Sequence, residues 1–325
     1  METGRPIHPG STGQENAVIV ENLVKVYRSG REVVQALRGV DFRVARGELF
    51  GIIGPDGAGK TSLFRIMTTL LLPDGGRVRI EGLDVVGEYR EIRRRVGYMP
   101  GRFSLYQDLS VQENLQFFAT IFNTSVQENY EMIRDIYVQI EPFRHRRAGK
   151  LSGGMKQKLA LCCALIHRPT VLFLDEPTTG VDAVSRKEFW EMLQRLREQG
   201  ITILVSTPYM DEASRCDRVA LMQDGRLLSV DTPRNITAGF GYPLAAVKAD
   251  NMLALYEDIQ PFAGKLDCYP CGEFHHVVLR QGVGLEELDR FLSARPHPGL
   301  ESRLIEAGIE DCFMALMKNE ITQAV

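Results

Sequence analysis

GELFGIIGPDGAGKTSLFRIMTTLL, residues 47–71, is the stretch on which the fold turns. It opens with an apolar run of strand length, Leu49–Ile53, and passes through GPDGAGKT. It then places Leu63, Ile66, Met67 and Leu70 on one helical face. Gly54, Gly59, Lys60 and Thr61 satisfy the spacing G-x-x-x-x-G-K-[ST]. Glycines let such a loop wrap with its N–H groups turned inward, and the helix start adds partial positive charge, so the segment cradles phosphate. Pro55, Asp56, Gly57, Ala58 and Ser62 belong to the same cradle. Lys60 is expected to reach the β- and γ-phosphates, and Thr61 to ligate Mg²⁺ through its hydroxyl.

A second apolar run, TVLFLDEP (residues 170–177), delivers Asp175 and Glu176 side by side at its carboxyl end. Ligands of open α/β sheets sit at that edge. Asp175 suits the metal's second contact, and Glu176 is placed to orient and deprotonate an attacking water. Between the two runs lies KLSGGMKQKLALCCALIHRP (residues 150–169). Here Ser152, Gly153 and Gly154 open a helix whose apolar stripe includes Leu159, Cys163 and Ile166. A Ser-Gly-Gly helix start is an anion-binding surface by the same logic as the phosphate loop.

These three segments, in this order, resemble the nucleotide-binding subunits of ABC transporters, and LSGGMKQ matches that family's signature without a departure. The resemblance runs from about Val18 to Pro233. It implies an α/β fold: a P-loop NTPase of the ABC ATPase type with a mixed-sheet core, and an inserted helical subdomain over about residues 102–165. It also implies a head-to-tail dimer, homomeric or with another ATPase subunit. ATP and Mg²⁺ would lie between one subunit's phosphate loop and the other's Ser152–Gly154. Tyr27 matches the aromatic that stacks on adenine, and Asp182 the loop that crosses the dimer interface. The catalytic pair implied is Glu176 and Lys60.

Two positions depart from the family. In VGYMPGRFSLYQDLSVQENL (residues 96–115) Gly101 stands where the family usually has Gln. In STPYMDEA (residues 206–213) Pro208 stands where it usually has His. Both losses fall on groups that sense the γ-phosphate, while the groups that hold the nucleotide are kept. Slow hydrolysis is the leading expectation. A nucleotide sensor or degenerate subunit, and a soluble ABC ATPase outside transport, are the alternatives.

The bulk numbers agree with a cytoplasmic, two-domain protein. The chain has 325 residues, and 39 basic against 42 acidic side chains leave a net charge of −3, so no global basic field recruits nucleic acid. Residues 1–16 are polar, rich in Gly, Pro and Ser, and lack an apolar signal core, which predicts a disordered tail. No apolar stretch approaches the roughly 18 residues a bilayer span needs. Six scattered cysteines suit a reducing compartment better than a disulfide framework. The resemblance implies peripheral association with the inner face of the membrane, through a separate transmembrane permease. The apolar faces of the helical lobe (Leu109, Leu115, Phe118, Ile121; Met132, Ile136, Ile140), with Phe103 and Tyr106, fit either lobe core or that contact.

The ATP-binding domain is expected over 17–235 and an accessory α+β domain over 236–325. There the pattern reads βαββαβ with a closing helix, a ferredoxin-like order. Its Glu-Asp-x-Phe helix resembles the drug- and polyketide-exporter branch of the family. Cys268, Cys271, His275 and His276 carry half a zinc-site spacing, which alternation across paired strands argues against.

Overall fold

The structure is a computed structural model and describes residues 15–30 and 32–323. Of the predicted disordered tail, residues 1–14 lie outside the described residues, and the first strand already begins at Asn16. The chain divides into two compact units, one running through Pro233 and one beginning at Arg234.

The first unit opens with β1 (Asn16–Ser29), β2 (Glu32–Ala45), β3 (Leu49–Ile53), α1 (Lys60–Met67), β4 (Gly75–Ile80), β5 (Leu83–Asp84), α2 (Tyr89–Arg95) and β6 (Val96–Met99). It continues through α3 (Val111–Ile121), α4 (Tyr130–Tyr137), α5 (Gly153–Leu165), β7 (Val171–Asp175), α6 (Ala183–Glu198), β8 (Thr202–Thr207), β9 (Arg218–Gln223) and β10 (Arg226–Asp231). Five of these strands form a parallel sheet in the order β9-β3-β8-β7-β6, with β10 antiparallel at its edge. β3, β7 and β8 are buried along their whole length, which is why they read as unbroken apolar runs. A second, antiparallel sheet takes the order β2-β1-β4-β5.

One apolar core joins both sheets to α1. Leu63, Phe64, Ile66 and Met67 of that helix pack with Val20 and Leu37 of one sheet and Phe50 and Phe173 of the other. The helix is shorter than its apolar pattern predicts. Thr69 takes a left-handed backbone (φ 62°), the helix ends at Met67, and Leu70 is 57% exposed instead of continuing the buried face.

α3, α4 and α5 form the helical lobe. Ser110 and Glu113 close a reciprocal capping box at the start of α3. Asn114, fully buried, bonds the backbone of Tyr106, Leu109 and Ser110 and so fixes the preceding loop. Leu115, Ile136 and Ile140 are core here, whereas Ile121 and Tyr106 are exposed, Met132 and Phe103 half-buried, and Leu109 precedes the helix.

α7 (Pro233–Ala238) leads into β11 (Leu244–Lys248), α8 (Met252–Ile259), β12 (Lys265–Cys271), β13 (Phe274–Leu279), α9 (Leu285–Leu292), β14 (Glu301–Ile305) and α10 (Ile309–Gln323). The sheet order β12-β13-β11-β14, antiparallel throughout, is the ferredoxin-like arrangement. Cys268 lies in the core with Val277 and Leu279, while the Cys271 thiol meets Glu310 of α10. His276 bonds Asp311, and His275 bonds the Met252 carbonyl. The four candidate zinc ligands are thus spread over two faces. Among the described residues no group of three or more His, Cys, Asp or Glu is arranged to hold a metal.

Candidate functional site

The phosphate loop leaves β3 at Gly54 and enters α1 at Lys60. A Cβ at Gly54 would lie 2.1 Å from the Met222 carbonyl oxygen, so only glycine lets the loop pass β9 this closely. No side chain caps the α1 N-terminus, which leaves its amides free for an anion. Lys60 is 3% exposed, and its ammonium donates to the carbonyls of Gly54 (2.8 Å) and Pro55 (3.0 Å). It also pairs with Glu176 at 3.2 Å. A buried ammonium must be satisfied this way, and its three partners hold it at the mouth of the loop.

Glu176 follows the last residue of β7 with a left-handed backbone, φ 51°, an unfavourable state for a non-glycine residue. Ser206 of β8 holds it there. The Glu176 N–H donates to both the carbonyl and the hydroxyl oxygen of Ser206, each at 3.0 Å. The Ser206 hydroxyl in turn donates to Asp175 Oδ1 at 2.6 Å, and the Thr61 hydroxyl reaches the same oxygen at 3.3 Å. Burial, together with the nearby Asp175 carboxylate, pushes the Tyr98 phenol up to about 12, so it stays neutral beside this cluster.

A cleft of about 340 Å³ lies over these groups, lined among others by Tyr27, Gly57, Lys60, Thr61, Ser62 and Glu176. Tyr27 is 38% exposed, and its hydroxyl sits 3.1 Å from that of Ser62. Its ring, with Val34 from the paired strand, presents the cleft's apolar wall. The structure therefore brings Tyr27, the loop, Lys60 and Glu176 together around one cleft.

Ser152, Gly153, Gly154 and Asp182 do not line that cleft. They form a separate group. Ser152 caps α5 by accepting from the Met155 N–H, and Asp182 caps α6 by accepting from the Ser185 N–H at 3.0 Å, which holds its carboxyl below the usual range. A Cβ on Gly154 would stand 2.8 Å from the Ser185 hydroxyl, so the two helix starts pack directly on each other. Lys158 and Glu188 tie the same helices at 2.8 Å.

At Gly101 the backbone closes the space. A Cβ at Gly101 would lie 2.9 Å from the Asp175 carbonyl oxygen and 3.7 Å from the Glu176 Cβ. Beyond Pro208, the buried Glu212 accepts from the Thr207 hydroxyl (2.5 Å) and the Thr178 hydroxyl (2.9 Å). Neither Ser206 nor Glu212 belongs to a motif that the sequence makes visible. The sign of Ser206 is the pair of hydroxyls that ends an apolar strand, and Glu212 leaves none.

The ABC transporter family profile matches residues 37–179. The chain is 43% identical over 204 residues to the probable multidrug ABC transporter ATP-binding protein YbhF of Escherichia coli (strain K12), covering 62% of this chain and 35% of that protein. It thus spans about a third of that relative's length. It is 34% identical over 289 residues to the Nod factor export ATP-binding protein I of Burkholderia orbicola (strain AU 1054), covering 88% of this chain and 93% of that protein. Among solved structures, the dimeric post-hydrolysis state of the ATP-binding cassette MJ0796, bound to ADP and Pi, superposes with a TM-score of 0.61 at 27% identity. That match covers 66% of this chain and 98% of the other. Site, fold and relatives agree: the chain belongs to the ATP-binding proteins of the ABC transporter family.

Proposed function

We propose that the chain is the ATP-binding and hydrolysing subunit of an export complex, that it dimerises around ATP, and that it powers a separate transmembrane permease. The observation that carries this reading is the division of the family's motifs into two groups. One cleft holds Tyr27, the phosphate loop, Lys60 and Glu176, while Ser152–Gly154 and Asp182 sit outside its lining. A nucleotide in the cleft would then meet the second group only on another subunit, with this chain's copy or another ATPase as the partner. The name of the Nod factor export relative supports export as the direction, and no helix among the described residues is long and apolar enough to cross a membrane. Attachment to the inner membrane would then come through the permease.

Thr61 and Asp175 fit Mg²⁺: two hard oxygen donors converge, with room left for phosphate oxygens. Bound there, the ion would neutralise phosphate charge. Lys60 exchanges its loop carbonyls for phosphate oxygens, and Glu176 takes the proton of the attacking water. With no side chain at Gly101 and only an apolar ring at Pro208, one or more preorganised transition-state contacts are gone. Each such contact is worth about 10²–10³ in rate, with incomplete additivity inside one site. Hydrolysis is therefore slow. The test is turnover of the purified chain beside Glu176→Gln, with binding of magnesium–ATP measured by calorimetry. Glu176-dependent turnover supports the reading, and turnover indifferent to that change removes it.

A further inference from the structure

The carboxylate of Glu212 has no part in the reading above, yet it is 3% exposed, among the most buried acids in the described chain. Burying a carboxylate is costly unless hydrogen bonds and a counter-charge compensate it. Here each oxygen has its own partner. Oε2 accepts from the Thr207 hydroxyl at 2.5 Å and Oε1 from the Thr178 hydroxyl at 2.9 Å, with Arg186 Nε 3.9 Å from Oε1. The Arg186 guanidinium also lies 4.4 Å over the Tyr209 ring.

These partners belong to three segments. Thr207 ends β8, next to the Ser206 that holds Asp175 and the Glu176 backbone. Thr178 lies two residues beyond Glu176, in the loop that ends at Asp182. Arg186 is in the first turn of α6, which Asp182 caps. Between Thr207 and Tyr209 stands Pro208, which has no hydrogen-bonding side chain of its own. That bend is held by the Tyr209 N–H donating to the Thr207 hydroxyl at 3.1 Å, and the Thr207 hydroxyl is in turn fixed by Glu212.

We infer that Glu212 is a positioning residue for hydrolysis, tying the end of β8 to the loop after β7 so that Glu176 and Asp182 keep a fixed relation. The inference rests on the hydrolytic reading proposed above. Glu212 does not line the cleft, so its removal alters the rate of the chemical step and leaves ATP capture alone.

The test uses Thr178→Val, Thr207→Val and the double variant in the full chain. Each is near-isosteric and removes one end of the same tie. Steady-state turnover and the KM for ATP are measured, with the thermal midpoint as the control for folding. Because either break opens the tie, all three variants lose a common factor of about tenfold in kcat while KM stays within about twofold. Glu212→Asp, which keeps the charge but shortens its reach, shows the same split. Losses that multiply to about a hundredfold in the double variant overturn the inference. So does unchanged kcat in the folded Thr178→Val chain, or a loss carried by KM. If wild-type turnover is itself indifferent to Glu176→Gln, the hydrolytic reading fails and this inference falls with it. A Glu176-dependent wild type with indifferent threonine variants sinks the Glu212 inference alone.

Discussion

Restoring the family's glutamine at position 101 ought, from sequence logic, to speed hydrolysis. The structure predicts the opposite. The first atom of any side chain at Gly101 would lie 2.9 Å from the Asp175 carbonyl oxygen, where ordinary contact begins at 3.4 Å. The gap must open by about 0.5 Å, which is the tolerance within which a catalytic constellation has to be held. Gly101 is on an exposed bend, so part of the shift is taken there and part by the Asp175–Glu176 peptide. That peptide carries both carboxylates of the site. Overpacking of this size costs about 1 kcal/mol, a fall of roughly 2–4 °C in melting midpoint for a unit of this size. Gly101→Ala should therefore lower kcat by about three- to tenfold, since displacements of this order at a reacting centre are costly. Gly101→Gln should give no gain over Gly101→Ala. The assay is phosphate release at saturating magnesium–ATP, with thermal unfolding run alongside. A rise in kcat of tenfold or more for Gly101→Gln, or an alanine variant that matches wild type in both measurements, refutes the reasoning.

Other consequences are open to equally direct tests. Gly54→Ala, with its Cβ 2.1 Å from a backbone oxygen, should abolish magnesium–ATP binding in calorimetry and lower the thermal midpoint more than Gly101→Ala does. Tyr27→Ala should weaken ATP by about 1–3 kcal/mol, taking base stacking on an aromatic ring as the guide. It should leave inorganic triphosphate binding unchanged, and equal losses for both ligands would show that Tyr27 does not stack on the base. Ser206→Ala frees the Glu176 backbone and unpairs Asp175, so turnover should fall by about tenfold or more, the order of one hydrogen bond to a charged group. In the C-terminal unit, burial pushes the Asp311 carboxyl upward. Hydrogen bonds from His276, Tyr269 and the Gly308 N–H outweigh that and leave it below its ordinary value. Its contribution to stability is present above the ordinary carboxylate range and is lost as pH falls through its lowered value. Asp311→Asn should flatten the acid limb of midpoint against pH.

The phosphate loop was legible because its geometry is local: a strand, a turn that demands glycine, and a helix start follow one another along the chain. The C-terminal topology was legible for a similar reason. Each strand and helix there is short and bounded, and the Gly272–Glu273 turn between β12 and β13 announces a hairpin. The end of α1 was not, since Leu70 keeps the helical apolar period and only the left-handed Thr69 breaks it. The same limit applies to Ile121, which extends an apolar pattern onto an exposed face. Glu212 and Ser206 were harder still. Glu212 meets Thr178 across 34 residues and Ser206 meets Asp175 across 31, and such buried polar pairs leave no periodicity to read.

What the cleft keeps and what it has lost differ in kind. The groups that would hold the polyphosphate are mostly backbone: the amides at the start of α1, on a loop fixed by the contact between Gly54 and the Met222 carbonyl. Backbone donors persist whatever side chains surround them. The family's usual groups at 101 and 208 would be side chains, and on the proposed reading each would supply one contact and no part of the loop. Glu176 stands between these two kinds. Its carboxylate is a side-chain feature, but its aim depends on a left-handed backbone held by Ser206. Nucleotide capture and turnover are thus separable here. On the proposed reading, substitutions at positions 101, 206 and 212 should act on turnover, while affinity should follow Tyr27 and residues 54–62.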